Sequence, residues 1–434
     1  MGALFLTWGI LLLCAVALLV YGKRDFASPS FLIALAFFAS FTVVICNISN
    51  WDIAEHGYYW KTTLCIMLTI ISFFFGSVIV SSLSNRGNVN VAKVHLQINE
   101  RTESYPYGLF CALAFVLFYL FLKFKITNID FSSLSAFTDT LRRTYTEEKE
   151  YGFLTTQIME ALVGLAYISL HRVIIETLYL KKRITFMLLL PIILFLSATL
   201  LYTDRNIFLR FMITCLIAFV MAFNWKGITA KNNMKLTITV FFAVAAIAVV
   251  FWLYGRLKQY TSNFERMIGI YAGSGLYGFN LWLKGFDNRF THGELMFSTV
   301  MNMLKAIGIG PGSTYSQHME YIVYAAKNGY VFATNIYSAM RVYYQDFGLL
   351  GIIAVPFVMG MLFEKLYQLA IREKLGFWWL FYCAHIYHVI YFPIQEQFMM
   401  RFHLGLVYEI VWLVFFYELV YGIDGLWRIK IVWR

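Results

Sequence analysis

Charge is scarce in this chain of 434 residues: Asp, Glu, Lys and Arg make up only 14% of it, where a water-soluble domain carries about a quarter. A surface so poor in charge cannot be solvated by water, which excludes a soluble globular protein of this length. Cysteine is equally sparse. Cys14, Cys46, Cys65, Cys111, Cys215 and Cys383 all fall in apolar stretches with no CxxC or Cys/His spacing, which speaks against a disulfide framework or a zinc site and leaves buried thiols. Neither a Walker loop, a GxGxxG or GxSxG in supporting context, nor an HExxH is present, and acidic DxD pairs are missing from the polar connections. Nucleotide-dependent and strongly metal-dependent chemistry is therefore disfavoured. With no internal repeat, low-complexity tract or linker, a single domain over 1–434 is expected.

What the chain has is grease and rings. It is 60% hydrophobic and 19% aromatic, with a mean hydropathy of +0.67. A helix needs roughly 20 apolar residues to cross ~30 Å of hydrocarbon while hiding every backbone N–H and C=O. About eleven stretches pass that length test: 3–21, 30–48, 62–83, 107–124, 153–176, 184–203, 206–224, 236–254, 348–369, 377–398 and 402–423. The sequence thus predicts an all-α polytopic membrane protein. The first stretch lacks a basic leader and a small-residue cleavage site, so it is expected to be retained. The clusters Lys23-Arg24, Arg86/Lys93/Arg101, Lys181-Lys182-Arg183, Lys226/Lys231/Lys235, Arg372/Lys374 and Arg428/Lys430/Arg434 fall on one face. That face is cytoplasmic by the positive-inside rule, with the N-terminus outside and the C-terminus inside. The same rule accounts for the net charge of +11 without a nucleic-acid partner.

On the outer side lie 125–152 and one long region, 255–347, the only part of the chain with room for a site. It holds Gly273-Ser-Gly275 and Gly308-Ile-Gly310-Pro311-Gly312, and short helices along or dipping into the membrane are expected there. Eight basic residues lie in this region (Arg256, Lys258, Arg266, Lys284, Arg289, Lys305, Lys327, Arg341), with Glu265, Asp287, Glu294 and Glu320 among the acidic ones. Either the basic surplus binds an anion, or it reflects the weakness of charge bias in long loops. Arg205 sits in the tight hairpin Tyr202-Thr-Asp-Arg205-Asn, Arg210 lies deeper in the next span, Arg256 ends Trp252-Leu-Tyr-Gly-Arg256, and Arg401 occupies a tight outer turn. These four mark one membrane depth, Arg341 lies with Asp346 just before a predicted span, and guanidinium planes bind phosphate oxygens bidentately. For any one of them taken alone, snorkelling to the interface is the commoner reading. Asp346, before a predicted span, fits a helix cap or a base. His318 fits proton transfer, with His292 near Glu294 a second candidate. His385 and His388, three apart with Glu396 beyond, read as a buried packing or gating pair.

Three strings, Thr-Asp-Arg205-Asn, Trp252-Leu-Tyr-Gly-Arg256 and Thr334-Asn-Ile-Tyr with Tyr344-Gln-Asp346-Phe-Gly348-Leu-Leu-Gly351, resemble the Wzy-type oligosaccharide repeat-unit polymerases, the bacterial O-antigen and capsule polymerase family. The likeness extends over most of the chain as topology: around a dozen helices with a large late outer loop. The resemblance implies a glycosyltransferase of the bacterial cytoplasmic membrane that joins undecaprenyl-diphosphate-linked repeat units on the outer face. It would need no cofactor and would work beside a flippase and a chain-length regulator. Arg205, Arg210, Arg256, Arg341 and Arg401 would then hold the diphosphate, His318 or Asp346 would take the proton, and Tyr337 and Tyr344 would meet sugar. Rival expectations are a lipid-linked glycan ligase and a flippase or transporter of lipid-linked sugars. Transporters tend to show related halves and midplane charges, which this sequence lacks.

Overall fold

A computed structural model describes residues 2–22, 25–83, 107–125, 132, 136, 153–180, 182–202, 205–225, 249, 264–313, 320–326, 331–400 and 404–421. In chain order these form α1 (Gly2–Tyr21), α2 (Pro29–Cys46), α3 (Trp60–Leu83), α4 (Tyr107–Lys125), α5 (Phe153–Ile174), α6 (Phe186–Tyr202), α7 (Arg205–Trp225), α8 (Ser274–Gly285), α9 (Ser298–Ala306), β1 (Ile322–Ala325), β2 (Val331–Thr334), α10 (Met340–Glu373), α11 (Phe377–His385) and α12 (Leu404–Tyr421). The protein is helical with little sheet. Among the described residues six helices are long and apolar enough to cross a membrane: α1, α2, α3, Phe153–Tyr179, Asn206–Trp225 and α10. Nearly all of the expected span 236–254 and of the expected loop 125–152 lies outside the described residues.

Two expectations change in detail. The stretch 377–398 is not one helix: α11 ends at His385, a short turn of helix covers Tyr387–Ile390, and turns follow. The expected span 348–369 is the later part of a longer element that begins at Met340 and breaks at Gly348, whose φ of 60° and ψ of −141° are not helical. The region 255–347 contains short helices as expected, and also an antiparallel hairpin pairing Ile322 with Thr334 and Ala325 with Val331.

The chain forms two compact units. The first contains Met1–Ser84, Thr261–Arg372 and His385–His403. In it α3 and α10 run in the same direction in close contact. A Cβ on Gly76 would lie 2.1 Å from the Phe357 carbonyl oxygen, and one on Gly360 would lie 2.1 Å from that of Phe73. Small residues allow such backbone approach where lipid gives helices no hydrophobic drive to associate. Ser77 donates to the Gly360 carbonyl at 3.2 Å and Ser81 to the Glu364 carboxylate at 2.7 Å. The glycine-rich piece before and within α8 serves the same purpose. Gly275 faces the Ile394 carbonyl and Gly278 the Ile336 carbonyl, at separations no Cβ would fit, and Ser274 bonds Thr334 at 2.9 Å.

The second unit contains Asn85–Tyr260, Glu373–Ala384 and Leu404–Arg434. Its centre is α5, buried along nearly its whole length against α4, α6 and α12. Two polar residues within the 153–176 stretch are paired inside the unit. Arg172 Nε pairs with Glu176 at 2.8 Å, and His171 bonds the Tyr421 hydroxyl at 2.7 Å and the Leu375 carbonyl at 2.6 Å. Charge within a span is tolerated on such terms.

Replacing Gly360 by Val is expected to separate α3 from α10 and to lower stability by about 1–3 kcal/mol through overpacking. A fall in the unfolding midpoint of the detergent-solubilised protein would show it, and an unchanged midpoint would contradict this packing.

Candidate functional site: a buried arginine between aromatic rings

The start of α10 is held from two sides. Ser338 N–H donates to the Gly275 carbonyl and Ala339 N–H to that of Phe392, each at 2.9 Å, while the Ser338 hydroxyl donates to the Phe392 carbonyl at 2.9 Å. One turn of helix thus presents Arg341, which is 5% exposed. Its guanidinium carbon lies 3.9 Å from the Tyr337 ring centroid and 5.2 Å from that of Trp282, distances at which a cation is attracted to the ring face. Its Nε and Nη1 are buried and make no hydrogen bond, and no ion pair among the described residues includes it. Buried donors are nearly always satisfied, so two open ones on a single cation call for a partner. Burial raises the pKa of the Tyr337 phenol, outweighing the lowering effect of Arg341, and its hydroxyl donates to the Glu320 carbonyl at 2.7 Å.

A second cation lies nearby. Trp282 packs against Phe286 with centroids 4.6 Å apart and edge-on to Tyr344 at 6.3 Å, and Lys61 Nζ stands 5.1 Å from the Tyr344 centroid. Asn280 secures this arrangement. Its side-chain oxygen accepts from the Tyr59 N–H at 2.8 Å and the Thr62 hydroxyl at 3.0 Å, and its nitrogen donates to the Gly57 carbonyl at 3.2 Å. Helix α8 is thereby fixed to the first turn of α3, where Lys61 sits. Lys61 and Arg341 thus flank the Trp282–Tyr344 pair.

Asp346 does something else. It lies two residues ahead of the break at Gly348, where the expected span begins. It is fully buried, and its carboxylate accepts from the Thr291 hydroxyl, the Leu295 N–H at 3.2 Å and the Met296 N–H at 2.7 Å. It clamps the 291–296 segment onto the helix break. Five residues on from Arg341, it occupies a different face of the helix. Glu396 makes a similar clamp, accepting from the Tyr343 hydroxyl at 2.7 Å and from the N–H groups of Phe398, Met399 and Met400 at 2.9, 2.7 and 2.8 Å. His385 and His388 lie buried nearby in the chain, their rings stacked with centroids 6.2 Å apart.

Of the other expected site residues, His318, Arg256 and Arg401 lie outside the described residues, and Arg205 opens α7 with its side chain outside them. Arg210 belongs to the second unit, where it pairs with Glu409 at 3.4 Å, whose carboxylate also takes the Tyr167 hydroxyl at 3.5 Å. The first unit therefore brings Arg341, Tyr337 and Tyr344 together. It adds Lys61 and Trp282 from other parts of the chain. Lys61 was discoverable: it follows Trp60 at the predicted outer end of the third span, the same end as Arg341.

No family model, curated protein or solved structure matches this chain. The site's chemistry is what points to a ligand. Open guanidinium donors fit phosphate or carboxylate oxygens, while Trp and Tyr faces fit the apolar C–H face of a sugar or a prenyl chain. No group of three or more His, Cys, Asp or Glu suited to a metal occurs among the described residues.

Arg341→Met keeps much of the side-chain bulk and removes a poorly compensated buried charge, so its unfolding midpoint should equal or exceed that of wild type. Asp346→Asn, by contrast, weakens hydrogen bonds to a charged group worth about 1.5–3 kcal/mol and should unfold earlier. Differential scanning fluorimetry in detergent reads both, and a large loss for Arg341→Met would mark that arginine as structural.

Proposed function

We propose that this protein polymerises polyprenyl-diphosphate-linked oligosaccharide repeat units into a surface polysaccharide on the outer face of a bacterial cytoplasmic membrane. The observation that carries the reading is the buried Arg341, stacked on Tyr337 and Trp282 with two donors unfilled. Such a guanidinium neutralises the diphosphate as it departs, and Lys61 supplies a second positive charge. The growing glycan is transferred from its lipid diphosphate to a hydroxyl of the next repeat unit. The bond between the anomeric carbon and the diphosphate oxygen breaks, a new glycosidic bond forms, and the hydroxyl proton passes to a base. The Asp346 carboxylate is engaged with Thr291, Leu295 and Met296, so His318 is the preferred base. Arg401 is a further candidate diphosphate contact, and Arg205, Arg210 and Arg256 are candidate anion contacts of the second unit, where Arg210 is paired with Glu409.

The finer topology belongs to the same reading: eleven spans, N-terminus outside, C-terminus cytoplasmic, with 255–347 on the outer face. The parallel course of α3 and α10 agrees with it, because the third and ninth spans should run the same way. A flippase and a chain-length regulator are the expected partners.

Purified protein supplied with lipid-diphosphate repeat units should produce a ladder of glycan lengths, and Arg341→Ala or Arg341→Lys should reduce it at least tenfold, equivalent to a loss of about 1.4 kcal/mol of transition-state stabilisation. Trp282→Ala should weaken it less. Wild-type ladders from both Arg341 variants would remove the proposed diphosphate site. A single transfer to a different acceptor would indicate a ligase, and movement of the intact lipid across the bilayer without bond formation would indicate a transporter.

A further inference from the structure

The segment that follows the Asp346 clamp has a fixed base and a greasy tip. At the base, Ser298 and Thr299 are buried, the Thr299 hydroxyl donates to the Met400 carbonyl at 2.7 Å, and the Ser313 hydroxyl donates to the Glu294 carbonyl at 3.2 Å. Ser313 N–H also reaches across to the Asn302 side-chain oxygen at 2.9 Å, closing the loop on itself. At the tip, Ile307 is 71% and Ile309 57% exposed, with Met303 and Leu304 each more than a third exposed. The tip is built rather than loose. Ile309 N–H donates to the Leu304 carbonyl at 2.8 Å and Gly308 N–H to that of Lys305 at 3.0 Å. Gly308, Gly310 and Gly312 take φ near +80°, a conformation that costs glycine little and other residues more.

Holding four apolar side chains outward in water is unfavourable by roughly 25 cal/mol for every Å² left wet. Two features say what covers them. The clamp ties the base of the loop to α10 beside its break at Gly348, and the residues just past that break, Leu349, Leu350 and Ile353, are exposed apolar side chains on a span. The loop is therefore rooted at the depth where α10 enters lipid. Lys305 lies among the apolar tip residues and is itself exposed, the pattern of an interfacial element whose apolar face sinks between acyl chains while its cation meets headgroup phosphate.

We propose that residues 298–312 form an apolar wedge seated in the headgroup–acyl boundary of the bilayer beside the start of the α10 span. The wedge fixes the height of the 291–296 segment, and through the Asp346 clamp the height of the first half of α10, relative to the membrane. This holds whether or not the chain is a polymerase. The test uses the full-length protein in nanodiscs of phosphatidylcholine and phosphatidylglycerol, with a benzophenone-bearing amino acid in place of Ile307, of Leu350 as a lipid reference, or of Arg289, whose side chain is 89% exposed, as a polar reference. After irradiation, mass spectrometry should find phospholipid adducts at position 307 at a level close to that of 350 and several-fold above that of 289. Lipid adducts at 350 but none at 307 would overturn the proposal. So would adducts at 307 to a second copy of the chain.

Discussion

Helices α3 and α10 lie against each other in the same direction because each offers the other a glycine, and the first unit is organised around that contact. Ser77 reaches Gly360 and Ser81 reaches Glu364 across one constant separation of 283 residues, and Lys61 and Tyr344 stand at that same separation at the other end of the pair. A parallel pair in fixed register puts the starts of two spans side by side. Side-chain bulk at Gly76 or Gly360 would force the helices apart and carry Lys61 away from the aromatic group that holds Arg341. Glycines in and before α8 repeat the device at smaller scale, letting that helix approach the backbone at 336 and 394 closely enough for Trp282 to cover the guanidinium.

The described buried arginines meet different fates, and the difference separates structure from function. Arg172 has Glu176 one turn away on its own helix, and Arg210 has Glu409 from another. Both follow the general rule that charge inside an apolar protein is matched by charge. Arg341 is matched by ring faces, by the Tyr337 hydroxyl and by the charge of Glu320, while its Nε and Nη1 make no hydrogen bond. An interior designed for stability alone would not leave those donors open. The carboxylates of Asp346 and Glu396 are spent on backbone N–H groups, where they lock the segments around the site.

Gly348 links this site to the membrane. Its left-handed backbone interrupts α10, and the N–H groups of Thr291 and His292 donate to the Gln345 and Asp346 carbonyls beside the break, at 3.0 and 3.2 Å. The first half of the helix can therefore carry Arg341 at its own angle while the second half spans lipid. The 298–312 loop grows from the same anchoring.

The sequence by itself determined the solvent and the helical class, because both depend on local composition: twenty apolar residues in a row admit few arrangements other than a membrane helix. Arg341, Tyr337 and Tyr344 were legible for the same local reason, as polar and aromatic residues at the mouth of an apolar stretch. The clamp made by Asp346 was not legible, since a carboxylate near an expected helix start looks the same whether it caps, catalyses or clamps until its hydrogen-bond donors, fifty residues away, are known. Only the tertiary structure could bring in Lys61 and Trp282 from distant segments and show that Arg210 has a carboxylate partner while Arg341 lies between ring faces. Pairing of that kind is a property of contacts between elements far apart in the chain, and nothing in the spacing of residues along one helix encodes it.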